Sequence, residues 1–259
     1  MFKILSKKEL PGDCCQMDIL APRIAASALP GQFIIIKMEK NSERIPLTIS
    51  DHDVEKGYIR IVFKAIGKST RQMMTFQVGD VFEDVVGPLG RPSEFIHLSP
   101  EELKSKSFVF VGGGVGIAPI YPQVKWLAQH GVKPDVIIGA RMQSLIIFEE
   151  ELRSVSGHLY VTTDDNSSGM QGVVTDVLKK LVKEEGKHYD EVIAIGPMIM
   201  MKFTTLLAKE LGIKCTVSLN SLMVDGTGMC GACRVSVGGK TKFTCVDGPE
   251  FDGALVDFD

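Results

Sequence analysis

The rhythm of hydrophobic and polar positions changes near residue 100. Up to about residue 98, short alternating apolar runs such as QFIIIKM, GYIRIVFKAIG and DVFEDVVGPLG are broken by Gly, Pro and Asp. Runs so punctuated predict an antiparallel barrel or sandwich. From about 105 to 220, strand-like runs alternate with helix-length segments. SFVFVGGG precedes PIYPQVKWLAQHG, DVIIGAR precedes FEEELRS, LYVTTDD precedes VVTDVLKKLVKEEG, EVIAIGP precedes MIMMKFTTLLAKELG, and KCTVSLN closes the series. This alternation predicts βαβ units on a doubly wound parallel sheet with helices on both faces. The last stretch is Gly-rich and carries three cysteines. The expected fold is therefore β plus α/β, with a barrel over 1–98, an α/β nucleotide domain over 99–220 and a small C-terminal lobe over 221–259.

At 259 residues and 44% apolar content, the chain can bury two cores of ordinary size. A net charge of -3 gives no basic footprint, so neither nucleic acid nor an anionic membrane surface is an expected partner. No segment reaches the roughly 18 uninterrupted apolar residues of a membrane span, and the apolar run in MFKILSKKELPGD is too short for a signal sequence. A cytoplasmic location is expected. The clustered cysteines then suit a metal better than a disulfide framework.

In FVFVGGGVGIAPI an apolar strand runs into Gly112, Gly113, Gly114 and Gly116, followed by Ile117, Ala118 and Pro119 where a helix should begin. Such a turn either simply packs tightly or lets a nucleotide diphosphate approach a helix N-terminus. Its place on the first strand of the doubly wound region favours the nucleotide. Thr163, Asp164 and Asp165 end a later strand, and Gly196, Pro197 and Met198 end another, on the same predicted edge. The acidic strand end leans towards NAD(H) and Arg141 towards NADP(H), so both remain open.

Cys230, Cys233 and Cys245 are one ligand short of four. Counting back from Cys230 by the C-x4-C-x2-C spacing of plant-type two-iron clusters reaches Asp225. The segment thus reads as a [2Fe-2S] motif with aspartate in first place. Cys215 is a competing fourth ligand, but strand alternation makes it a small buried hydrophobe. Zinc is a second competitor, although Cys245 lacks the close partner that structural zinc sites favour. Cys14 and Cys15 read as inert thiols. His52, His97, His130, His158 and His188 lie singly, so hydrolytic chemistry is disfavoured and no catalytic side chain is expected.

The order PGQF (30–33), IPLTIS (45–50), KAIGKST (64–70), GPLG (87–90), GGGVGIAP (112–119) and IGPM (195–198) resembles the ferredoxin-NADP reductase superfamily. With the cysteines added, it is similar to the branch that contains the electron-transfer subunit of dihydroorotate dehydrogenase B and the small subunit of NADH-dependent ferredoxin:NADP+ oxidoreductase. The resemblance implies FAD held between the domains. Pro46, Leu47, Thr48 and Ile49 would form the flavin-binding strand, Gly67, Lys68, Ser69 and Thr70 would form the loop at the diphosphate, and Lys64 and Ala65 of the same motif would be further cofactor-binding residues. Where relatives carry Arg before the Pro this chain has Ile45, and Arg44, the candidate diphosphate ligand, stands one residue earlier. The dihydroorotate branch has cysteine where this chain has Asp225, whereas the ferredoxin:NADP+ oxidoreductase subunit has Asp.

What the resemblance implies, then, is an NAD(P)H-dependent electron-transfer flavoprotein subunit of an electron-bifurcating complex. Its partner would be a larger iron-sulfur flavoprotein subunit, with ferredoxin served through the complex. Two other readings stand beside it: a dihydroorotate dehydrogenase B electron-transfer subunit, and a non-catalytic nucleotide-sensing adapter.

Overall fold

A computed structural model describes residues 2–258. They fall into two compact units. One comprises Met1–Ser93, Asn220–Val235 and Lys242–Pro249, and the other Glu94–Leu219, Ser236–Thr241 and Glu250–Asp259.

In the first unit the chain lays down β1 (Phe2–Leu10), β2 (Cys14–Leu20), a short α1 (Pro22–Ala25), β3 (Phe33–Lys37), β4 (Arg44–Asp53), β5 (Tyr58–Lys64), α2 (Lys68–Thr75), β6 (Val81–Phe82) and β7 (Asp84–Leu89). The strands pair in the order β6-β1-β2-β5-β4-β3-β7, every pairing antiparallel. The edge strands are consecutive in sequence, and between them the Glu83 N–H donates to the Met38 carbonyl at 3.1 Å. The sheet therefore curls nearly shut, as the punctuated alternation predicts.

β3 departs from simple alternation, because FIIIK is buried along almost its whole length. Ile34 and Ile36 enter the barrel core with Met17, Ile19, Ile61 and Phe63. Phe33 and Ile35, on the other face, pack against Met223, Cys233 and Cys245 from the tail. A strand covered on both faces needs apolar residues at every position, which is what this run supplies.

The second unit follows with α3 (Pro100–Ser105), β8 (Phe108–Gly113), α4 (Ile117–Gln129), β9 (Asp135–Ala140), α5 (Glu149–Val155), β10 (Leu159–Thr163), β11 (Met170–Gln171), α6 (Val174–Lys183), β12 (Glu191–Ile195), α7 (Met198–Leu211) and β13 (Lys214–Ser218). The chain then forms the hairpin β14 (Arg234–Val237) and β15 (Lys240–Phe243), whose residues are divided between the two units, a short α8 (Thr244–Asp247) in the first unit and β16 (Glu250–Asp252) in the second. The sheet order is β11-β10-β9-β8-β12-β13-β16, parallel except for the last strand. α4 packs with α5, and α6 with α7. β8 lies between β9 and β12, so the strand order reverses at the end of β8, where open sheets of this kind bind ligands. Among the described residues no helix is long and apolar enough to cross a membrane.

At that edge the β8–α4 turn and the β12–α7 turn are in close contact. A Cβ on Gly116 would lie 2.5 Å from the Ile195 carbonyl oxygen and 2.7 Å from the Gly196 Cα, both backbone atoms that cannot swing aside. Gly116→Ala should therefore cost at least about 2 kcal/mol. A thermal melt followed by circular dichroism should fall by roughly 5 °C or more. An unchanged melt would contradict the contact.

Candidate functional site

Strand alternation divides the predicted flavin-binding run. Thr48, Pro46 and Arg44 pair with Phe33, Ile35 and Lys37 of β3, so their side chains share that strand's outer face. Ile45, Leu47 and Ile49 point the other way, into the barrel core. Leu47 and Ile49 can thus offer a ligand only main-chain groups. Next to them, the Ser50 hydroxyl is buried with no hydrogen-bond partner.

The KAIGKST loop closes on itself. The Ala65 N–H donates to the Asp13 carbonyl at 2.9 Å, and the Ile66 and Gly67 N–H groups donate to the Thr70 hydroxyl at 3.0 and 3.1 Å. Lys64 is exposed at the end of β5. Gly67 caps α2 without a side chain, which leaves the amides of its first turn, beside Lys68, as donors for an anion. The Ser69 hydroxyl donates to the carboxylate of Glu43, a residue that no motif singles out.

On the nucleotide edge the glycines have different jobs. A Cβ on Gly112 would meet the Ile120 side chain at 2.5 Å, one on Gly113 the Met200 sulfur at 2.7 Å, and one on Gly196 the Met200 Cε at 2.8 Å. These glycines, with Gly116, let the two turns pack. Gly114 is the exception: it is exposed, has a φ of +57°, and a Cβ there would meet nothing within 4 Å. Among Gly112, Gly113, Gly114 and Gly116 it is the one that leaves open space at the edge. Ile117 and Ala118 are fully buried and only steady the turn, while Pro119 in the first turn of α4 is half-buried. Pro197 caps α7 and Met198 opens it.

Farther along the edge, the buried Thr163 hydroxyl donates to the Ser168 carbonyl at 3.0 Å and accepts from the Ser168 N–H at 3.2 Å. The Asp165 carboxylate accepts from the Ser167 N–H at 3.0 Å, and bonds from Ser167 hold its pKa below the ordinary range. Both residues are engaged in shaping the 163–168 loop. Asp164 and Arg141 remain exposed beside it.

The tail builds its site around glycines whose backbone only glycine adopts easily. Gly226, Gly228 and Gly231 have φ of +77°, +84° and +69°. They bend the chain so that the Asp225 carboxylate accepts from the Thr227 N–H at 2.8 Å and the Cys230 N–H at 2.7 Å. These bonds, with a further one from the Cys230 thiol, hold Asp225 below the usual carboxylate range.

Between the last two cysteines, the β14–β15 hairpin reverses the chain. The Thr244 N–H and hydroxyl then donate to the Cys233 carbonyl, each at 3.1 Å. That return brings the Cys233 and Cys245 sulfurs to 3.3 Å, both buried. Burial, the Cys233 thiol and the Asp225 charge push the Cys245 thiol up to about 11, while the Gly228 N–H directed at its sulfur pulls the other way.

The ligand candidates thus form two pairs: Asp225 with Cys230, and Cys233 with Cys245. Among the described residues no three His, Cys, Asp or Glu side chains converge as a single metal ion requires. Two pairs fit a two-iron cluster, in which each iron takes two protein ligands, and fit a four-ligand zinc site poorly. The sulfur separation is about 0.5 Å short of the ~3.8 Å that two sulfurs adopt on one tetrahedral metal at about 2.3 Å, a gap that small side-chain rotations close. Cys215 is no competitor. It is buried in β13 with the Thr205 hydroxyl at 3.6 Å, and burial pushes its thiol up to about 11.

A barrel, a doubly wound sheet with a glycine-opened edge, and a paired Cys/Asp tail define an iron-sulfur oxidoreductase subunit with a nucleotide-binding domain. Residues 110–205 match the oxidoreductase NAD-binding domain, and residues 220–257 match the iron-sulfur cluster binding domain of dihydroorotate dehydrogenase B. The chain is 46% identical to the dihydroorotate dehydrogenase B (NAD(+)) electron transfer subunit homolog of Thermotoga maritima, over 99% of this chain and 88% of that protein. It is 62% identical to an uncharacterized protein from the adh 3' region of Clostridium beijerinckii, over 100% of this chain and 88% of that one. The structure of NADH-dependent reduced ferredoxin-NADP oxidoreductase, described in terms of flavin-based electron bifurcation, matches with a TM-score of 0.92 at 45% identity, over 100% of this chain and 90% of that one. The chain belongs to the family of dihydroorotate dehydrogenase B electron-transfer subunits and their homologues.

Thiol accessibility checks the geometry of the tail. Cys230 is exposed and the other five cysteines are buried. Ellman's reagent added to metal-free native protein should therefore label one thiol at once and the rest only as the protein unfolds. Prompt labelling of three thiols would mean that the Cys233–Cys245 pair is not formed.

Proposed function

We propose that this chain is the FAD and [2Fe-2S] subunit of a cytoplasmic, electron-bifurcating NADH-dependent ferredoxin:NADP+ oxidoreductase. Its partner would be a larger iron-sulfur flavoprotein chain. The observation that carries the reading is Asp225, which stands in first-ligand position, paired with Cys230 and held by backbone N–H groups. The similarity to the ferredoxin-NADP oxidoreductase structure supports it across the whole chain.

When bound, a nicotinamide supplies a hydride, a flavin divides it into single electrons, and a cluster carries them one at a time. The protein's own groups place and insulate. Pro46 and Thr48 would present the outer face of β4 to a flavin, and the first amides of α2 would receive its diphosphate. Gly114 would admit the nicotinamide nucleotide, and the exposed Asp164 and Arg141 are the candidates for its ribose. Asp225 and Cys230 would hold a cluster from the exposed side, and Cys233 and Cys245 from the buried side. Since Thr48 and Pro46 share their sheet face with the strand positions that support Cys233 and Cys245, flavin and cluster would stand on one face of the barrel.

A second reading, an electron-transfer subunit serving dihydroorotate dehydrogenase B, draws on the match of the tail to that enzyme's cluster domain. Anaerobic co-purification of the native complex and identification of the accompanying chain separates the two. Protein loaded with iron, sulfide and FAD should be brown, and NADH should bleach its flavin band. Flavin that stays oxidised under both NADH and NADPH would point instead to a nucleotide-sensing adapter.

Glu43 provides a local test. Its carboxylate occupies Ser69, next to the amides assigned to the diphosphate, and it must yield to a second anion. Glu43→Gln should tighten FAD binding by roughly two- to fivefold, with the gain shrinking at high salt. Weaker binding, measured by fluorescence titration of the apoprotein, would place the diphosphate elsewhere.

A further inference from the structure

Arg44 is the position where this chain departs from the motif it otherwise follows, and its guanidinium makes two long-range bonds within the protein. The guanidinium Nε donates to the Val224 carbonyl at 2.7 Å, across 180 residues of sequence. Nη1 donates to the Asp84 carboxylate at 3.4 Å, and both side chains of that pair are only partly exposed. Lys37 pairs with Arg44 on one side and Asp84 on the other, so the guanidinium reaches across β3 at the level just beyond Ile35.

Val224 immediately precedes Asp225, and one peptide plane joins them. Arg44 fixes the carbonyl side of that plane. The Thr227 and Cys230 N–H groups fix the Asp225 carboxylate on the other. Under the loop, a Cβ on Gly226 would lie 2.7 Å from Cδ1 of both Ile35 and Leu89, so the chain rests directly on the barrel with no slack. The bond from the guanidinium to the Val224 carbonyl is charge-assisted, and bonds of this kind are among the stronger ones.

We propose that Arg44 is a positioning residue for the cluster: it anchors the Val224–Asp225 peptide so that the aspartate stays paired with Cys230, and it does not serve the flavin diphosphate. The proposal rests on the reading that the tail holds a two-iron cluster. It adds that the Arg displaced by one residue has been reassigned from one cofactor to the other. The one-residue shift is physically apt, since residue 45 points into the barrel core and residue 44 points to the face that carries the tail. A fixed cation on that face also favours electron arrival at an anionic cluster, so its loss should lower the reduction potential.

The test uses holoprotein purified anaerobically with its native partner, comparing wild type with Arg44→Gln and with the milder Arg44→Lys. In Arg44→Gln the cluster absorbance should decay about tenfold faster under an iron chelator, as expected for the loss of one charge-assisted bond. The EPR signal of the reduced cluster should shift, its potential should fall, and the FAD dissociation constant should stay within about twofold of wild type. Arg44→Lys should keep the potential nearer wild type while still altering the EPR signal, because it retains charge but not the fork. Should Arg44→Gln fail to fold, Arg44→Lys alone decides by its EPR signal and FAD affinity. Weakened FAD binding with an unaltered cluster signal and lifetime would overturn the proposal, and so would loss of both cofactors together. A wild-type preparation with flavin but no cluster would overturn the functional reading instead, and the proposal with it.

Discussion

β3 supports two assemblies at once. Ile34 and Ile36 sit inside the barrel core, while Phe33 and Ile35 form the floor on which Met223, Cys233 and Cys245 rest. Each fully buried side chain of this size contributes about 1.5–3 kcal/mol, so five residues couple the stability of the barrel to that of the cysteine tail. Neither layer can shift without exposing the other. This gives the tail, which has little core of its own, a rigid base. The same face carries Thr48 and Pro46, and so the strand that buries the sulfurs also sets the level of the proposed flavin site.

On that base the four ligand candidates occupy unequal environments. Cys233 and Cys245 are buried and held by Thr244 and the β14–β15 hairpin, whereas Cys230 is exposed and Asp225 is held by backbone N–H groups. A hard carboxylate on the wet side and soft thiolates on the dry side is a sensible division. Burying a carboxylate without partners costs several kcal/mol, but a thiol is inexpensive to bury. Aspartate is therefore tolerated at the first position and would be costly at the third or fourth.

The α/β unit shows a comparable economy in its glycines. At the two turns Gly112, Gly113 and Gly196 make room for the side chains of Ile120 and Met200, Gly116 lets backbone pass backbone, and Gly114 alone leaves open space. A glycine-rich signature is thus a mixture of packing and binding. Only the identity of the neighbours, Met200, Ile120 and the Ile195 carbonyl among them, separates the two.

Periodicity in the chain was enough to determine the barrel, the βαβ series and their order, because side-chain alternation and helix-length spacing are local properties that later folding does not revise. Spacing alone also singled out Asp225 and the three cysteines, since a cluster ligand set is written as intervals along the backbone. Tertiary structure decided the rest. It paired Cys233 with Cys245 through a hairpin, turned Leu47 and Ile49 inward while Thr48 stayed outward, and set Glu43 on Ser69. It also carried Arg44 to a carbonyl 180 residues away. Contacts of that range depend on which faces of two distant segments meet, and no local pattern encodes that.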